Sequence, residues 1–194
     1  MRSCGVSSSV GTRMRSSCAR LMLAIAVATG FLSARTAGAA DADVSVELVD
    51  HDGLVAAVTA AKGTVVVLDC WSTSCPPCVK EFPGLVALHR KHGTGVTCMS
   101  LSLDYEGIGR PEEVVPPVKA FLEQQKATFR NKLSKEDSDA MCKKLGIVSV
   151  PAVFVWDRDG KLAKKFDDDV ASKSLGRPFT YADVEAVVEE CLAR

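Results

Sequence analysis

The sequence predicts an α/β fold, a central mixed β-sheet flanked by helices on both faces, and three observations carry that prediction. Residues 65–70 and 96–103 are continuous apolar runs of the kind shown by strands buried on both faces, and a helix-length segment separates them. Near the C-terminal end, Asp157-Arg158-Asp159-Gly160 joins two short strand-like runs, residues 153–156 and 162–166, as a β-hairpin. Strands separated by helices, then a hairpin and a last helix, need layers on both sides of the sheet.

Taken in order, residues 44–49 (VSVELV) alternate loosely as a strand, and residues 52–61 have helical apolar spacing up to Gly63. After the strand 65–70, a helix over 76–92 begins with proline, which the first turn tolerates, and contains Pro83, expected to kink it. Gly93 to Gly95 turn the chain into the strand 96–103, which ends at Asp104. Residues 105–117 read as a Gly/Pro-rich connection, followed by helices over 118–126 and 138–145, the second stopped by Gly146. An amphipathic helix over 180–192 closes the chain, with Thr180 and Asp183 resembling a capping box. No internal repeat is apparent, and the acidic run Asp167 to Asp169 lacks the alternating ligand spacing of a calcium loop, so it reads as solvated.

Residues 1–40 contain five arginines and no acidic residue, and residues 21–32 (LMLAIAVATGFL) form a short apolar core followed by Ala37-Gly38-Ala39-Ala40. This is the pattern of a signal peptide or N-terminal membrane-targeting segment, and twelve apolar residues are too few to span a bilayer comfortably. Met14 offers an internal start that leaves a compact basic region; an uncleaved anchor is the competing reading. Residues 41–194 then form one domain, extracytoplasmic and either periplasmic or secreted. Without the first forty residues, 24 basic side chains become 19 against 24 acidic. That mildly acidic balance argues against nucleic acid as a partner.

Cys75-Pro76-Pro77-Cys78 stands directly after the strand 65–70, at the start of a helix. Two cysteines at this spacing close a small disulfide ring, and helix N-terminal N–H groups favour the thiolate of the first. The pair can therefore exchange electrons with other thiols and disulfides. A zinc site or an inert disulfide are the alternatives. Structural zinc needs a second ligand pair at suitable spacing, and His89 and His92, i,i+3 on the following helix, lie well away from its N-terminus. We expect no metal and no other cofactor. Cys70 and Cys98 sit in apolar runs as small hydrophobes, and whether Cys142 and Cys191 pair is left open by the sequence.

The blocks 65–83 (VVVLDCWSTSCPPCVKEFP) and 147–161 (IVSVPAVFVWDRDGK) resemble the thioredoxin fold, and within it the extracytoplasmic TlpA/ResA-like thiol-disulfide oxidoreductases; the resemblance covers residues 44–193 and includes the family's inserted strand and helix. It implies an enzyme, a protein-disulfide reductase, with Cys75 as the exposed nucleophile and Cys78 as the buried resolving thiol. Asp69, six residues before Cys75, stands where thioredoxins place a buried acid and becomes the candidate base for Cys78. Val150-Pro151 matches the cis-proline turn that faces the CxxC, where Val150 offers backbone hydrogen bonds to an extended substrate. Trp71 fits the aromatic beneath the active-site loop, while Pro76 and Pro77 tune the potential. Ser74 departs from the family, which usually has tryptophan there, and leaves Cys75 less covered.

The implied partners are client proteins with disulfides, such as apocytochromes c, and a membrane-embedded electron donor; the fold is consistent with a monomer. Oxidase or isomerase roles use the same residues with a different balance of thiolate and disulfide stability. A metal-delivery module would want CxxxC, and a peroxiredoxin-like peroxidase a threonine where Ser72 stands.

Overall fold

A computed structural model describes residues 43–167 and 175–194. The targeting segment expected over residues 1–40 therefore lies outside the described residues, as do Asp168 and Asp169. Among the described residues, six strands form one mixed sheet: β1 (Val46–Val49), β2 (Val65–Trp71), β3 (Val96–Ser102), β4 (Arg130–Ser134), β5 (Ala152–Trp156) and β6 (Leu162–Asp167). Their spatial order is β1-β4-β3-β2-β5-β6. The first four run parallel, and β5 and β6 are antiparallel additions. All seven residues of β2 are buried, as its unbroken apolar pattern requires of a central strand.

Among the described residues, the helices that cover the sheet are α1 (His51–Thr59), α2 (Pro76–His92), α3 (Val115–Gln125), α4 (Ser138–Leu145) and α5 (Tyr181–Leu192). The alternation of β2 divides the core. Val65, Val67 and Trp71 face a cluster built with Phe82 and Leu85 of α2, Val118 and Leu122 of α3 and Val184 and Val188 of α5. Val66, Leu68 and Cys70 face Leu54 of α1 and Met141 of α4 across the other side. Among the described residues, no helix is long and apolar enough to cross a membrane.

Several boundaries differ from the sequence expectation, each for a local reason. The connection placed over 105–117 is shorter: a 3-10 turn spans Pro111–Val114 and α3 begins at Val115. Pro116 and Pro117 occupy its first turn, where a missing N–H breaks no hydrogen bond. Strand β4 has one apolar residue in five, and no strand was expected from its pattern; it pairs with both β1 and β3. Asp167 is not part of a solvated loop but the buried last residue of β6, with Lys165 at 3.1 Å. The helix containing Pro83 runs without interruption from Pro76 to His92. Gly146 is the left-handed C-cap of α4, and Thr180 and Asp183 form the capping box of α5.

Candidate active site

The site lies where the parallel strands end and α2 begins. Cys75 is the N-cap of α2, in extended conformation, and is disulfide-bonded to Cys78 with Cα atoms 5.3 Å apart. Pro76 and Pro77 have no N–H to offer, so the first backbone donor of this helix is the N–H of Cys78, which points at Cys75 Sγ at 3.3 Å. Cys78 is buried, 3% exposed, under the first turn, whereas Cys75 is half-buried. Only Cys75 can meet an external disulfide without rearrangement.

Val150-Pro151, the loop residues before β5, are joined by a cis peptide bond, and Val150 O lies 3.7 Å from Cys75 Sγ. The sequence-selected pair therefore borders the disulfide. Trp71 at the end of β2 is wholly buried against Phe82 and Phe121, with ring centroids 4.8 and 4.6 Å away. Its Nε1 has no hydrogen-bond partner among the described residues.

Asp69 is 4% exposed. It lies on the same side of β2 as Val67 and Trp71, the side covered by Cys78 and Phe82 of α2. Burial pushes its carboxyl up to about 7, against a lowering hydrogen bond from Tyr181, because a carboxylate loses hydration inside the protein. Tyr181, at the first turn of α5, donates its phenol O–H to Asp69 Oδ2 at 2.6 Å. The ring can come this close because residue 84 is glycine: a Cβ there would overlap Tyr181 Cβ and Cγ. Burial also raises the Cys98 thiol to about 12 and the Cys70 thiol well above its ordinary value. Those cysteines, together with half-buried Cys142 and buried Cys191, are free thiols.

A second carboxylate organises the loop before Cys75. Asp104, just beyond β3, accepts from Thr73 N at 2.9 Å, from Thr73 Oγ1 and from Ser72 Oγ at 3.1 Å through Oδ1, and from Ser102 Oγ at 2.6 Å through Oδ2. Ser72 Oγ is in turn 2.9 Å from Ser74 Oγ, so the position where the family usually has tryptophan is tied into a hydroxyl chain. Tyr181, Gly84 and Asp104 escaped the sequence reading. Asp104 had a signal, a lone acid ending an apolar strand; Tyr181 and Gly84 had none, since they meet only through the packing of α5 on α2.

At the far end of α2, the possible ligand atoms of His92, Glu185 and Glu189 lie within 4.8 Å of one another. Lys91 Nζ already bridges the two glutamates at 2.6 and 2.8 Å and offsets part of their charge from within the chain.

A mixed sheet of this topology, with a CxxC disulfide capping α2 and a cis proline beside it, defines a thioredoxin-like protein. Residues 39–165 match the AhpC/TSA family, and the chain belongs to it. Among curated relatives, the thiol-disulfide oxidoreductase ResA of Bacillus thuringiensis subsp. konkukian is 30% identical over 115 residues, covering 59% of this chain and 61% of that protein. The sporulation thiol-disulfide oxidoreductase A of Bacillus subtilis is 26% identical over 103 residues, with 53% and 59% covered. The chain thus spans about three fifths of the length of the curated relatives it matches. A thiol:disulfide interchange protein of the thioredoxin family from Chlorobium tepidum superposes with a TM-score of 0.52 at 20% identity, over 69% of this chain and 83% of that one. A secreted Mycobacterium tuberculosis disulfide oxidoreductase homologous to E. coli DsbE gives 0.52 at 16% identity, over 68% and 85%. These two likenesses show the fold.

Proposed function

We propose that the protein is an extracytoplasmic thiol-disulfide oxidoreductase that reduces disulfides of client proteins through Cys75 and Cys78. The observation that carries this reading is the asymmetry of the pair: a half-buried Cys75 at the helix N-terminus and a covered Cys78 bonded to it. In the reduced protein the Cys75 thiolate attacks a client disulfide, forming a mixed disulfide and releasing one client thiolate. Asp69 takes the proton of Cys78, whose thiolate then attacks Cys75 Sγ. The bond between client and Cys75 breaks, the Cys75–Cys78 bond forms, and the client leaves with two more electrons. A membrane-embedded dithiol donor returns the pair to the reduced form by the reverse exchange.

The first turn of α2 supports the reducing direction. Strong oxidants of this kind are those whose reduced form is stabilised. Here two prolines remove two N–H donors from the turn that would stabilise the Cys75 thiolate, which leaves the disulfide relatively favoured. Export is supported by the targeting pattern of residues 1–40 and by the secreted M. tuberculosis protein of the same fold. Exposed Pro76 and Pro77 and half-buried Val150 border the disulfide and would form the surface on which an extended client segment lies, with Pro151 buried behind Val150.

The test is a redox titration of the protein in defined thiol/disulfide buffers, with Cys75→Ser as control. A couple near or below roughly −230 mV is expected for a reductase. A value near about −120 mV would turn the function to disulfide donation, and the lack of any reversible couple would end the redox reading.

A further inference from the structure

Tyr181 is buried beside the exchange centre, yet the steps above assign it nothing. Its position is closely determined. The N-terminus of α5 is capped by Thr180 and Asp183, and Arg177 holds Asp183 through two hydrogen bonds of 2.8 and 2.7 Å. The Tyr181 backbone N–H reaches Glu81 of α2 at 3.3 Å, its ring passes over the side-chain-free surface at Gly84, and its hydroxyl ends on Asp69 Oδ2. A tyrosine that served only as core would not need a glycine in the facing helix and a carboxylate at its tip.

We propose that Tyr181 is a positioning residue of the exchange: from α5 it holds the Asp69 carboxyl in the orientation and charge state in which it takes the proton of Cys78. The proposal rests on Asp69 acting as the base for Cys78. Burial and the Asp69 charge keep the phenol proton on Tyr181, raising its pKa well above the ordinary value, so the phenol donates to Asp69. A hydrogen bond donated to the ionised carboxyl favours that form, opposing the desolvation that disfavours it. Among the described residues, the thiols that interact with the Asp69 charge are Cys98 from β3 and Cys70 from its own strand, and Cys78 of α2 packs in the cluster on the Asp69 side of the sheet. Burial raises Cys98 and Cys70, so neither carries charge at neutral pH. Burial and Tyr181 together therefore set when Asp69 ionises. The family match ends at residue 165, so this residue is supplied by a segment beyond it.

The test follows the second half-reaction alone. The full chain, with Cys4→Ser, Cys18→Ser and Cys142→Ser to remove the thiols that are not buried in the sheet or under α5, is reduced and mixed with a symmetrical nitrobenzoate disulfide. The first coloured thiolate released marks the mixed disulfide on Cys75. The second marks attack of Cys78 on Cys75 Sγ, in which the aryl–Cys75 bond breaks, the Cys75–Cys78 bond forms and the Cys78 proton passes to Asp69. The rate of this second release is expected to rise with an inflection near pH 7, absent in Asp69→Asn. Tyr181→Phe is expected to move the inflection up by about 1 pH unit and to slow release about tenfold at pH 6, as loss of one hydrogen bond to a charged group implies. Difluorotyrosine at 181, a stronger donor, is expected to move it down.

An inflection that Tyr181→Phe leaves in place while Asp69→Asn abolishes it overturns the role of Tyr181. Should Tyr181→Phe fail to fold, an unmoved inflection in the difluorotyrosine protein overturns it equally. A profile that Asp69→Asn does not alter removes the base itself, and the proposal with it. No second release in the unmutated centre would instead refute the exchange reading.

Discussion

The two faces of the sheet are built from different chemistry. Toward α1 and α4 the central strands β2 and β3 present Val66, Leu68, Cys70, Met99 and Leu101, with buried polar side chains only outside them, Lys132 and Ser134 on β4 and Asp167 at the end of β6. Toward α2, α3 and α5 the same strands present a buried polar row through register-paired positions: Asp69 on β2, Ser100 on β3 and Asn131 on β4. Ser100 Oγ donates to Asn131 Oδ1 at 2.9 Å, and Asn131 Nδ2 donates to the carbonyls of Ala127 and Phe129. One face therefore stabilises by apolar area, and the other gives up some of that area to hold a carboxylate beneath a disulfide. Protonation of Asp69 should move the second face and leave the apolar residues of the first, Leu101 among them, alone.

The largest effect expected from breaking this difference is at Asp69. Its folded-state pKa of about 7 lies above its ordinary 3.8, so folding takes up a proton. The stability contributed by protonated Asp69 is full below about pH 4 and is lost as pH rises past about 7, on the order of 4 kcal/mol at most. Chemical denaturation across this range should show the unmutated protein weakening with pH, whereas Asp69→Asn stays flat and becomes the more stable of the two above pH 7. Parallel pH dependence in both proteins would show that Asp69 ionises as readily folded as unfolded.

On the other face, Leu101→Ala opens a cavity at a fully buried position and should cost about 3 kcal/mol. That loss should be independent of pH between 5 and 8, roughly, and should leave the inflection of Cys78 attack where it was. A shift of that inflection would mean that the two faces are coupled through the sheet. The smallest effect belongs to Glu47, 69% exposed, whose partner Lys132 is only 5% exposed, 2.6 Å away. Glu47→Gln should lower stability by less than about 1 kcal/mol, and added salt should shrink the difference.

The same division explains what the sequence could reveal. The apolar runs of β2 and β3, Pro76 opening α2, Gly146 closing α4 and the hairpin at Gly160 are local patterns, and they placed the elements around the CxxC. Strand β4 is not such a pattern. Arg130-Asn131-Lys132-Leu133-Ser134 is polar by composition, and four of its five residues are buried because partners elsewhere satisfy Asn131, Lys132 and Ser134. Prolines 116 and 117 signal a connection and a helix start equally well. Asp69 was legible because an acid inside an apolar strand needs a reason. Tyr181 was not, since its partner lies 112 residues away and nothing in a linear pattern marks a ring that must slide past a glycine.

Gly84 makes α5 resemble a key in a slot, and the slot belongs to a different stretch of chain from the key. Two proteins with identical CPPC loops, identical cis-proline turns and the same strand acid can therefore differ as reagents if one has another residue at the slot or another tail behind β6. Domain boundaries drawn at the end of the family match would produce such a protein: every recognisable motif retained, and the buried Asp69 left without the phenol that now donates to it.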